Sequence, residues 1–530
     1  MQVVELWTGR HANALRNALR LTNESFAQKL GTATRTVAKW NAEPDLVPVT
    51  ELQRALDTVL ETAPEGAQLR FASLDATAQT PDVEVTSDLM SAELRLTHDP
   101  AVGQMLSWLD TSAGWSPGRA RQKVAERFKD IDRRELQDRG HRRGMVDQAS
   151  IAKALTEYYA LDDAEFSAYK AKVDGRAITT SILTQHAWQV SAIPLGMGRD
   201  NLTLDWKRQP PPTPLDDACT DAAVRRVAES LATNTRIVNT PLYRLAEVSI
   251  SRDQIDGTVA LTDFNSYALT VDLMESELID AIALSSPAKP GRLPLRDRWM
   301  PSLNHVVDLD QRLCAGGALA LFAAARPAGR GRPRADYVFL VQQRSARVLN
   351  AAQRLAVIPK AFHEPLSDFT DDARLSATLE REMEEELFGR TDVDSTSLEH
   401  RHADPLHLSR LSPPMRWLMD RVTPDPAPWR MECTGFGINL VSGNYEFANL
   451  IVVEDEDWWT EYGGLIEANW ESDGLHRYSS LDRDGVSHLV HDASWSNEGL
   501  FALLQGLRRL TQIGGNRVDL PHIRLETDLG

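Results

Sequence analysis

The chain shows two kinds of hydrophobic pattern, one with the spacing of helices and one with the alternation of strands. Over the first 65 residues alanine and leucine recur at helical spacing while Pro44, Pro48 and Pro64 interrupt them, which predicts several short helices. A second helical region is predicted over residues 98–174. No strand pattern occurs in the first 65 residues, so we expect the chain to begin with an all-α region.

Strands enter after Gln209–Pro214, a proline-rich segment that favours an extended spacer and that we take as the main boundary. The later elements predicted from the sequence are strands at 243–250, 258–262, 267–272, 318–325, 337–343, 437–440 and 445–453, and helices at 275–283, 374–388 and 496–513. A Gly/Pro/Arg tip, Pro327–Pro333, is expected to form an exposed hairpin loop. We therefore expect four segments, at 1–65, 98–208, 215–310 and 311–530.

The composition is that of a globular protein with several cores. The chain has 530 residues, of which 42% are hydrophobic and 25% charged, and a single domain rarely grows so large. Its net charge of −18 excludes a uniformly basic nucleic-acid coat protein. The apolar stretch between Arg312 and Arg326 is too short for a membrane span. With no secretory leader and three scattered cysteines, we expect a cytoplasmic protein without a membrane partner.

Short helices near the amino terminus carry the most informative pattern. One is predicted over Asn23–Leu30, capped by Asn23, and Gly31 permits a tight turn after it. The next helix has two faces, and we expect the one with Val37 and Trp40 to pack inward. The opposite face is expected to point outward and consists of Thr34, Arg35, Ala38 and Lys39.

The segment Thr22–Trp40 resembles the helix-turn-helix of the phage-repressor-like, or XRE, regulators. The family's packing and turn positions are occupied by Ala27, Leu30, Gly31, Thr36, Val37 and Trp40. The resemblance implies that the second helix lies in the major groove of double-stranded DNA, and we expect a homodimer that reads two half-sites. It implies base contacts from Thr34, Arg35, Ala38 and Lys39, and a phosphate contact from Asn23. Residues 1–42 carry six basic and two acidic side chains, which suits a phosphate surface.

Both basic features of the sequence also have an interpretation without DNA. A helical bundle used for protein contacts needs the same apolar spacing as the amino-terminal helices. A second basic run, Arg119–Arg143, has ten basic and five acidic side chains. Because acidic residues interleave this run, the pattern is also typical of an ordinary solvated helix. The sequence leaves these alternatives open.

A separate group of candidate residues lies in the acidic segment Arg381–Gly389. Glu382, Glu385 and Glu386 are spaced i, i+3 and i+4, so a regular helix places them on one face. Carboxylates this close repel one another unless a cation neutralises them, and hard oxygen ligands suit Mg²⁺ or Mn²⁺ bridging a diphosphate. Such a metal would polarise phosphorus and activate water. The alternative is a solvated acidic face, because glutamate is a good helix former.

The order of strand, loop and acidic helix from Tyr337 onward resembles the Nudix family. The second half of that family's box is matched by Arg381, Glu382, Glu385 and Glu386, with Gly389 one position late. The resemblance implies an α/β fold of the α+β kind and a metal held by Glu382, Glu385 and Glu386. It also implies catalytic roles for Glu385 and Glu386.

The first half of the box departs from the family pattern. Lys360 and Ala361 stand at the opening glycines, and Ala373 stands at the early glutamate. By the resemblance, that glutamate supports the loop while the later three hold the metal, so metal binding is expected whether or not the chain hydrolyses a substrate. A further carboxylate from a later loop is expected at Glu467 or Glu471.

These features together predict a multidomain protein with an all-α helix-turn-helix region followed by a Nudix-like α/β (α+β) domain. The hypothesis is a DNA-binding transcriptional regulator whose domain at 311–530 senses a nucleotide-like diphosphate. Residues 98–208 are predicted to be a helical linker or dimerisation region, and 215–310 an α+β region with no assigned motif. Two alternatives stay open, a Mg-dependent Nudix pyrophosphohydrolase with an accessory helical domain and a non-catalytic scaffold.

Overall fold

The computed structural model describes residues 7–19, 21–42, 46–61, 63, 71, 92–161, 165–189, 192–196, 198–233, 235, 237–329, 331–345, 353–366, 368–388, 411–420, 428–466 and 472–526. The chain forms two compact units, Met1–His98 and Asp99–Gly530. It is thus a multidomain protein with a helical unit and a mixed α/β unit. None of the helices in these ranges is both long and apolar enough to cross a bilayer.

The amino-terminal unit consists of helices around one apolar core. Its helices are α1 (Gly9–Ala18), α2 (Asn23–Leu30), α3 (Thr34–Ala42) and α4 (Thr50–Glu61), and residues 92–98 are also helical. The core contains Trp7, Leu15, Phe26, Val37, Trp40, Leu56 and Phe71. Trp7 stacks on Phe71 with ring centroids 5.7 Å apart, and its indole N–H donates to Asp57 at 2.7 Å. Full burial of a large apolar side chain contributes roughly 1.5–3 kcal/mol to stability.

Local sequence explains where the first helices begin. Thr8 caps α1. Its hydroxyl accepts a hydrogen bond from the backbone amide of His11, and the His11 ring accepts one from the backbone amide of Thr8, which forms a capping box. Thr22 caps α2, because its hydroxyl accepts a hydrogen bond from Ser25 N at 3.2 Å. The prediction that Asn23 caps this helix is wrong by one position, since Asn23 is the first residue inside it. Threonine and asparagine both accept such bonds, so sequence alone does not separate adjacent candidates.

The second unit begins with helices and then turns to strands earlier than predicted. Its helices are α5 (Pro100–Ser112), α6 (Arg119–Lys129), α7 (Arg133–Gly144), α8 (Gln148–Tyr159), α9 (Asp217–Ala232), α10 (Phe264–Ala268), α11 (Leu273–Ala283), α12 (Pro294–Trp299), α13 (Leu303–Val307), α14 (Leu375–Glu382), α15 (Pro413–Met419), α16 (Glu456–Tyr462), α17 (Arg483–Val490) and α18 (Asn497–Ile513). The prediction of helix as far as 174 is wrong, because Ser167–Val173 is a strand in which Tyr169, Ala171 and Val173 alternate inward.

Most strands of this unit belong to one mixed sheet. The strands are β1 (Ser167–Val173), β2 (Arg176–Thr184), β3 (Ile193–Pro194), β4 (Asp200–Leu204), β5 (Pro241–Ile250), β6 (Ile255–Asp263), β7 (Gly316–Arg326), β8 (Asp336–Arg344), β9 (Leu355–Val357), β10 (Lys360–Phe362), β11 (Trp429–Asn439), β12 (Tyr445–Val453), β13 (Ser472–Ser479) and β14 (Ile523–Leu525). The large sheet has the order β13-β8-β7-β12-β11-β2-β1-β14, with β10 on β7, β3 on β11 and β9 on β8. β7 and β12 run parallel, whereas β7 and β8 form the predicted antiparallel hairpin.

Both faces of the large sheet are covered by helices. β7 is buried over its whole length as far as Ala325, which explains its uninterrupted apolar sequence. α18 packs on one face through Leu500, Leu503, Leu504, Leu507 and Leu510, as their spacing predicts. On the other face Trp458 of α16 lies 5.9 Å from Phe322, measured between ring centroids.

A smaller sheet has the order β4-β6-β5 and accounts for part of the middle region. The predicted strands at 243–250 and 258–262 fall within β5 and β6. The predicted strand at 267–272 is wrong, because α10 begins at Phe264 and leads into a turn. Asp263 favours this helix, since its carboxylate accepts a hydrogen bond from Ser266 N at 3.0 Å.

The proline-rich segment is anchored inside the second unit at both ends. The carbonyl of Gln209 accepts a hydrogen bond from the buried guanidinium of Arg244 at 2.8 Å, and Leu215 N donates to the carbonyl of Ser112 at 3.3 Å. β1 and β2 precede this segment, yet they belong to the same sheet as β7, β11 and β12. Residues 98–208, 215–310 and 311–530 are therefore parts of one compact unit apart from His98.

Candidate functional site

The face of α3 that the sequence predicts to point outward is exposed. Val37 and Trp40 lie in the core, at 0% and 1% exposure. Over residues 34–40, the part of the helix whose side chains the structure describes, the exposed residues are Thr34, Arg35, Ala38 and Lys39. Asn23 is half-buried in the first turn of α2, where the amides of a helix N-terminus favour an anion. The predicted division of α3 into a packing face and an open face is thus confirmed.

Two local features hold α3 in place. Gly31 has a φ of +66°, which lets α2 end and α3 begin after a tight turn. The side-chain amide of Asn13, in α1, donates to the carbonyl of Trp40 at 3.0 Å and satisfies an acceptor at the end of α3. The sequence did not mark Asn13, because its partner is distant in the chain.

The acidic segment forms a helix that changes pitch in its middle. α14 continues as a π turn over Met383–Leu387. Because a π turn contains more residues than an α turn, the i, i+3, i+4 face expected of a regular helix is not preserved across it. The prediction of a regular helix over 374–388 is therefore wrong over Met383–Leu387, where the turn is a π turn. Single π turns occur frequently at functional sites.

Glu382 lies against Arg381 and close to other carboxylates. Arg381 Nε donates to Glu382 Oε1 at 3.2 Å. Burial raises the pKa of Glu382 well above its usual range, and repulsion from Glu385 and Glu386 raises it further while Arg381 opposes the shift. Glu382 therefore holds a proton more readily than an exposed glutamate does, even with Arg381 beside it, and a metal cation nearby would favour the ionised form.

Glu364 provides Arg381 with a second acidic neighbour. Arg381 Nη1 donates to the backbone carbonyl of Glu364 at 3.1 Å, and Nη2 lies 4.0 Å from its carboxylate. Ala373, which stands at the family's early glutamate, is fully buried. The sequence did not mark Glu364, because its position beside Arg381 depends on how the chain folds back between them.

Glu386 and Glu384 each accept a hydrogen bond from a backbone amide. Glu386 Oε2 accepts from Lys360 N at 2.8 Å, and Glu384 Oε1 accepts from Ser412 N at 2.7 Å. Both carboxylates are buried, and each amide hydrogen bond satisfies one of their oxygens. Glu384 was not among the predicted residues, since it lies outside the predicted acidic face. Ser412 is also the cap of α15, so Glu384 positions the start of that helix.

The donor chemistry of the predicted metal ligands suits a divalent cation, but their present positions do not enclose one. Within the described ranges, no group of three or more His, Cys, Asp or Glu residues is arranged to hold a metal ion. Arg381 engages Glu382 and the Lys360 amide engages Glu386, so cation binding requires these carboxylates to turn. Gly389, Glu467 and Glu471 lie outside the described residues.

A buried charged cluster surrounds the side chain of Lys360, and no pattern in the sequence indicates it. Lys360 Nζ lies 2.6 Å from Glu498 Oε1, and Asn439 Nδ2 donates to Glu498 Oε2 at 3.2 Å. Burial raises the pKa of nearby Glu446 to about 8, and Glu498 adds to the shift. Burial also acts on Glu498, but the Lys360 ammonium holds its pKa below the usual range. Near neutral pH the cluster thus contains an ion pair and a protonated carboxyl.

The basic run at 119–143 lies on α6 and α7 and takes part in ion pairs. Arg139 and Glu229 form one such pair, and Arg143 Nε lies 2.5 Å from Asp280 Oδ1. α7 buries none of its residues, so these pairs help to attach it to α9 and α11. Arg139 and Arg143 are therefore half-buried and hold contacts within the second unit.

No protein-family model matches this chain. No curated protein matches it either.

Proposed function

We propose that the protein is a DNA-binding transcriptional regulator whose second unit senses a nucleotide-like diphosphate. The observation that carries the DNA-binding part is the two-sided α3, which buries Val37 and Trp40 and exposes Arg35 and Lys39. A helix held by a core on one side and open on the other has the form that enters a major groove, which is about 12 Å wide.

The exposed residues of α3 have chemistry suited to reading bases. The guanidinium of Arg35 can bond to two acceptors of one guanine, and Lys39 can contact a base or a phosphate. Thr34 and Ala38 are small enough to approach a thymine methyl group, and Asn23, in the first turn of α2, would contact phosphate. As a homodimer the protein would present two such helices to two half-sites.

The sensing part of the proposal rests on the crowded carboxylates of α14 and the π turn. The raised pKa of Glu382 arises from burial and then from Glu385 and Glu386. A Mg²⁺ or Mn²⁺ ion would relieve this repulsion, and Glu382, Glu385 and Glu386 are the residues that would hold it. Such a cation would also screen the charge of a diphosphate ligand. The ligand regulates DNA binding only if its affinity for the DNA-binding arrangement of the protein differs from its affinity for another arrangement.

Selection from a randomised DNA duplex library tests the DNA-binding part. The full-length wild type should enrich a sequence motif at about 0.15 M salt, a concentration that screens distant charges. Arg35→Ala should lose that enrichment. Arg54→Ala is the matched control, because Arg54 is exposed on α4 of the same unit and its loss removes the same charge. Equal enrichment by all three proteins would contradict the proposal.

A panel of nucleoside diphosphate compounds, tested with Mg²⁺, separates the sensor from the alternatives. Binding without turnover supports the sensor. Mg²⁺-dependent turnover selects the pyrophosphohydrolase instead. If neither binding nor turnover is detected and no DNA motif is enriched, the non-catalytic scaffold is selected.

A further inference from the structure

The hairpin between β7 and β8 has a basic tip in a protein whose net charge is −18. The charged residues from 326 to 334 are all arginines, namely Arg326, Arg330, Arg332 and Arg334. Arg330 lies outside the described residues. Among the described residues from 326 to 334, Arg332 is half-buried, and the exposed ones are Ala328, Gly329, Gly331, Pro333 and Arg334. The charge of the tip is therefore opposite in sign to the net charge of the whole chain.

The hairpin narrows to two paired backbone segments at Gly329 and Arg332. Gly329 and Arg332 exchange two backbone hydrogen bonds of 2.9 Å each, which brings the two strands of the hairpin together. Gly331 has a φ of +80°, a conformation that favours glycine, and a Cβ added there would meet nothing within 4 Å. Solvent therefore has access to the backbone at this point.

Arg326 and Arg332 share the single carboxylate of Asp336, and Arg334 has no acidic partner among the described contacts. The buried carboxylate of Asp336 already receives two hydrogen bonds from Arg326, at 2.9 and 2.6 Å. Burial acts to raise the pKa of Asp336, but its bonds to Arg326 hold it below the usual range. Arg332 Nε is 3.5 Å from the same carboxylate and also donates to the carbonyl of Pro327. Arg334 donates only to a backbone carbonyl among the described contacts, that of Asn516.

We propose that this tip, through Arg332 and Arg334, binds the minor groove of A·T-rich duplex DNA. The proposal rests on the proposed DNA-binding function and gives the second unit its own DNA contact. A minor groove about 6 Å wide admits a thin ribbon, and glycines allow its backbone to approach the groove floor. Narrow A·T grooves concentrate negative potential and attract arginine. Arginine enters such a groove more readily than lysine because its guanidinium is less strongly hydrated, and the tip contains no lysine.

The test measures binding of the full-length protein to three short duplexes of equal length: A·T-rich DNA, G·C-rich DNA and RNA. The variant Arg332→Ala/Arg334→Ala should bind the A·T duplex about tenfold more weakly and lose the preference for A·T over G·C. The control Arg176→Ala/Arg252→Ala removes the same charge from exposed positions elsewhere and should retain that preference. Arg332→Lys/Arg334→Lys keeps both positive charges. Its binding should therefore depend on salt as wild-type binding does, but it should lack the A·T preference.

Each result has a defined meaning. Loss of the A·T preference in the alanine variant but not in the control, with the lysine variant failing to recover it, supports the proposal. The proposal is overturned if the alanine variant keeps the A·T preference or if the lysine variant recovers it. Equal loss of the preference in the control, or binding to RNA as strong as binding to A·T-rich DNA, would also overturn it. Melting curves of all variants identify any that fail to fold, and the lysine variant then decides, because it preserves both charges.

A fourth duplex that carries the selected motif separates this proposal from the proposed function. Arg35→Ala/Lys39→Ala should abolish motif-specific binding and leave the A·T preference of non-specific duplexes intact. If that variant binds normally while the tip variant does not, the assignment of α3 fails and the tip assignment stands. If the tip variant binds normally while the Arg35→Ala/Lys39→Ala variant does not, only the tip assignment is overturned.

Discussion

The backbone amide of Lys360 donates a hydrogen bond of 2.8 Å to Glu386 Oε2. The ammonium of the same lysine lies 2.6 Å from Glu498 Oε1, at the start of α18. One residue of β10 thus connects the acidic helix with the buried cluster of Glu446 and Glu498. The amide contacts Glu386 and the ammonium contacts Glu498. Substitutions in the acidic helix and in the buried cluster can therefore be tested separately.

Divalent cations should stabilise the protein through the acidic helix. Mn²⁺ or Mg²⁺ should raise the melting temperature of the second unit, because a bound cation offsets the repulsion among Glu382, Glu385 and Glu386 and stabilises the state that binds it. Glu385→Gln should lose most of this gain and leave the metal-free protein as stable or slightly more so. The measurement is thermal unfolding during a Mn²⁺ titration.

Glu461→Gln is the matched control for this titration, since Glu461 is exposed on α16. It should show the same shift as the wild type. If Glu385→Gln and the wild type respond equally to Mn²⁺, the acidic helix is a solvated face and the metal-dependent hypotheses fail.

The stability of the second unit should fall as pH rises from about 5 to 8 because of Glu446. Its pKa is raised to about 8 in the folded protein from an ordinary value of 4.5, so the folded state holds a proton that the unfolded state releases. Between pH 4.5 and about 8, each pH unit lowers the free energy of unfolding by at most about 1.4 kcal/mol. The decrease ends once the pH exceeds the pKa of Glu446 in the folded protein. Denaturant unfolding at several pH values measures it.

Glu446→Gln should weaken this pH dependence, because the amide stays neutral and keeps the size of the protonated carboxyl. Lys360 and Glu498 still face the site, so some dependence from their ion pair persists at low pH. A wild type and a Glu446→Gln variant with the same slope between pH 5 and 8 would show that Glu446 is ionised in the folded protein.

Trp40→Ala should unfold the amino-terminal unit. Removing a fully buried tryptophan costs about 3–5 kcal/mol, a large part of the stability of so small a unit. Limited proteolysis of the full-length protein should then cut within residues 1–98, and DNA binding should be lost. Lys39→Ala, on the exposed face beside it, should change stability by less than about 0.5 kcal/mol. Unchanged proteolysis of Trp40→Ala would mean that the packing face is the wrong one.

Arg35→Ala should weaken binding to the selected DNA site by about 1–3 kcal/mol and binding to random DNA very little. The reason is that a guanidinium bonded to a guanine edge distinguishes bases, whereas phosphate contacts do not. Titration of both DNAs by fluorescence anisotropy gives the two affinities. Equal losses on both DNAs would assign Arg35 to a phosphate contact instead.

The sequence by itself determined the elements whose burial follows a regular period. The two faces of α3, the apolar hairpin of β7 and β8, and the leucine face of α18 were predictable because apolar spacing reports which side of an element is buried. The resemblance to known families supplied candidate chemistry at Arg35 and Glu385, and that chemistry remains a prediction.

Only the tertiary structure decided features that depend on residues far apart in the chain. Asn13 bonds to Trp40, Glu364 lies beside Arg381, and Lys360 joins Glu386 to Glu498. The strand at Ser167–Val173 likewise forms because β2 and β14 pair with it. No local pattern reports such contacts, because a hydrogen bond or ion pair between distant segments exists only after the chain has folded back on itself.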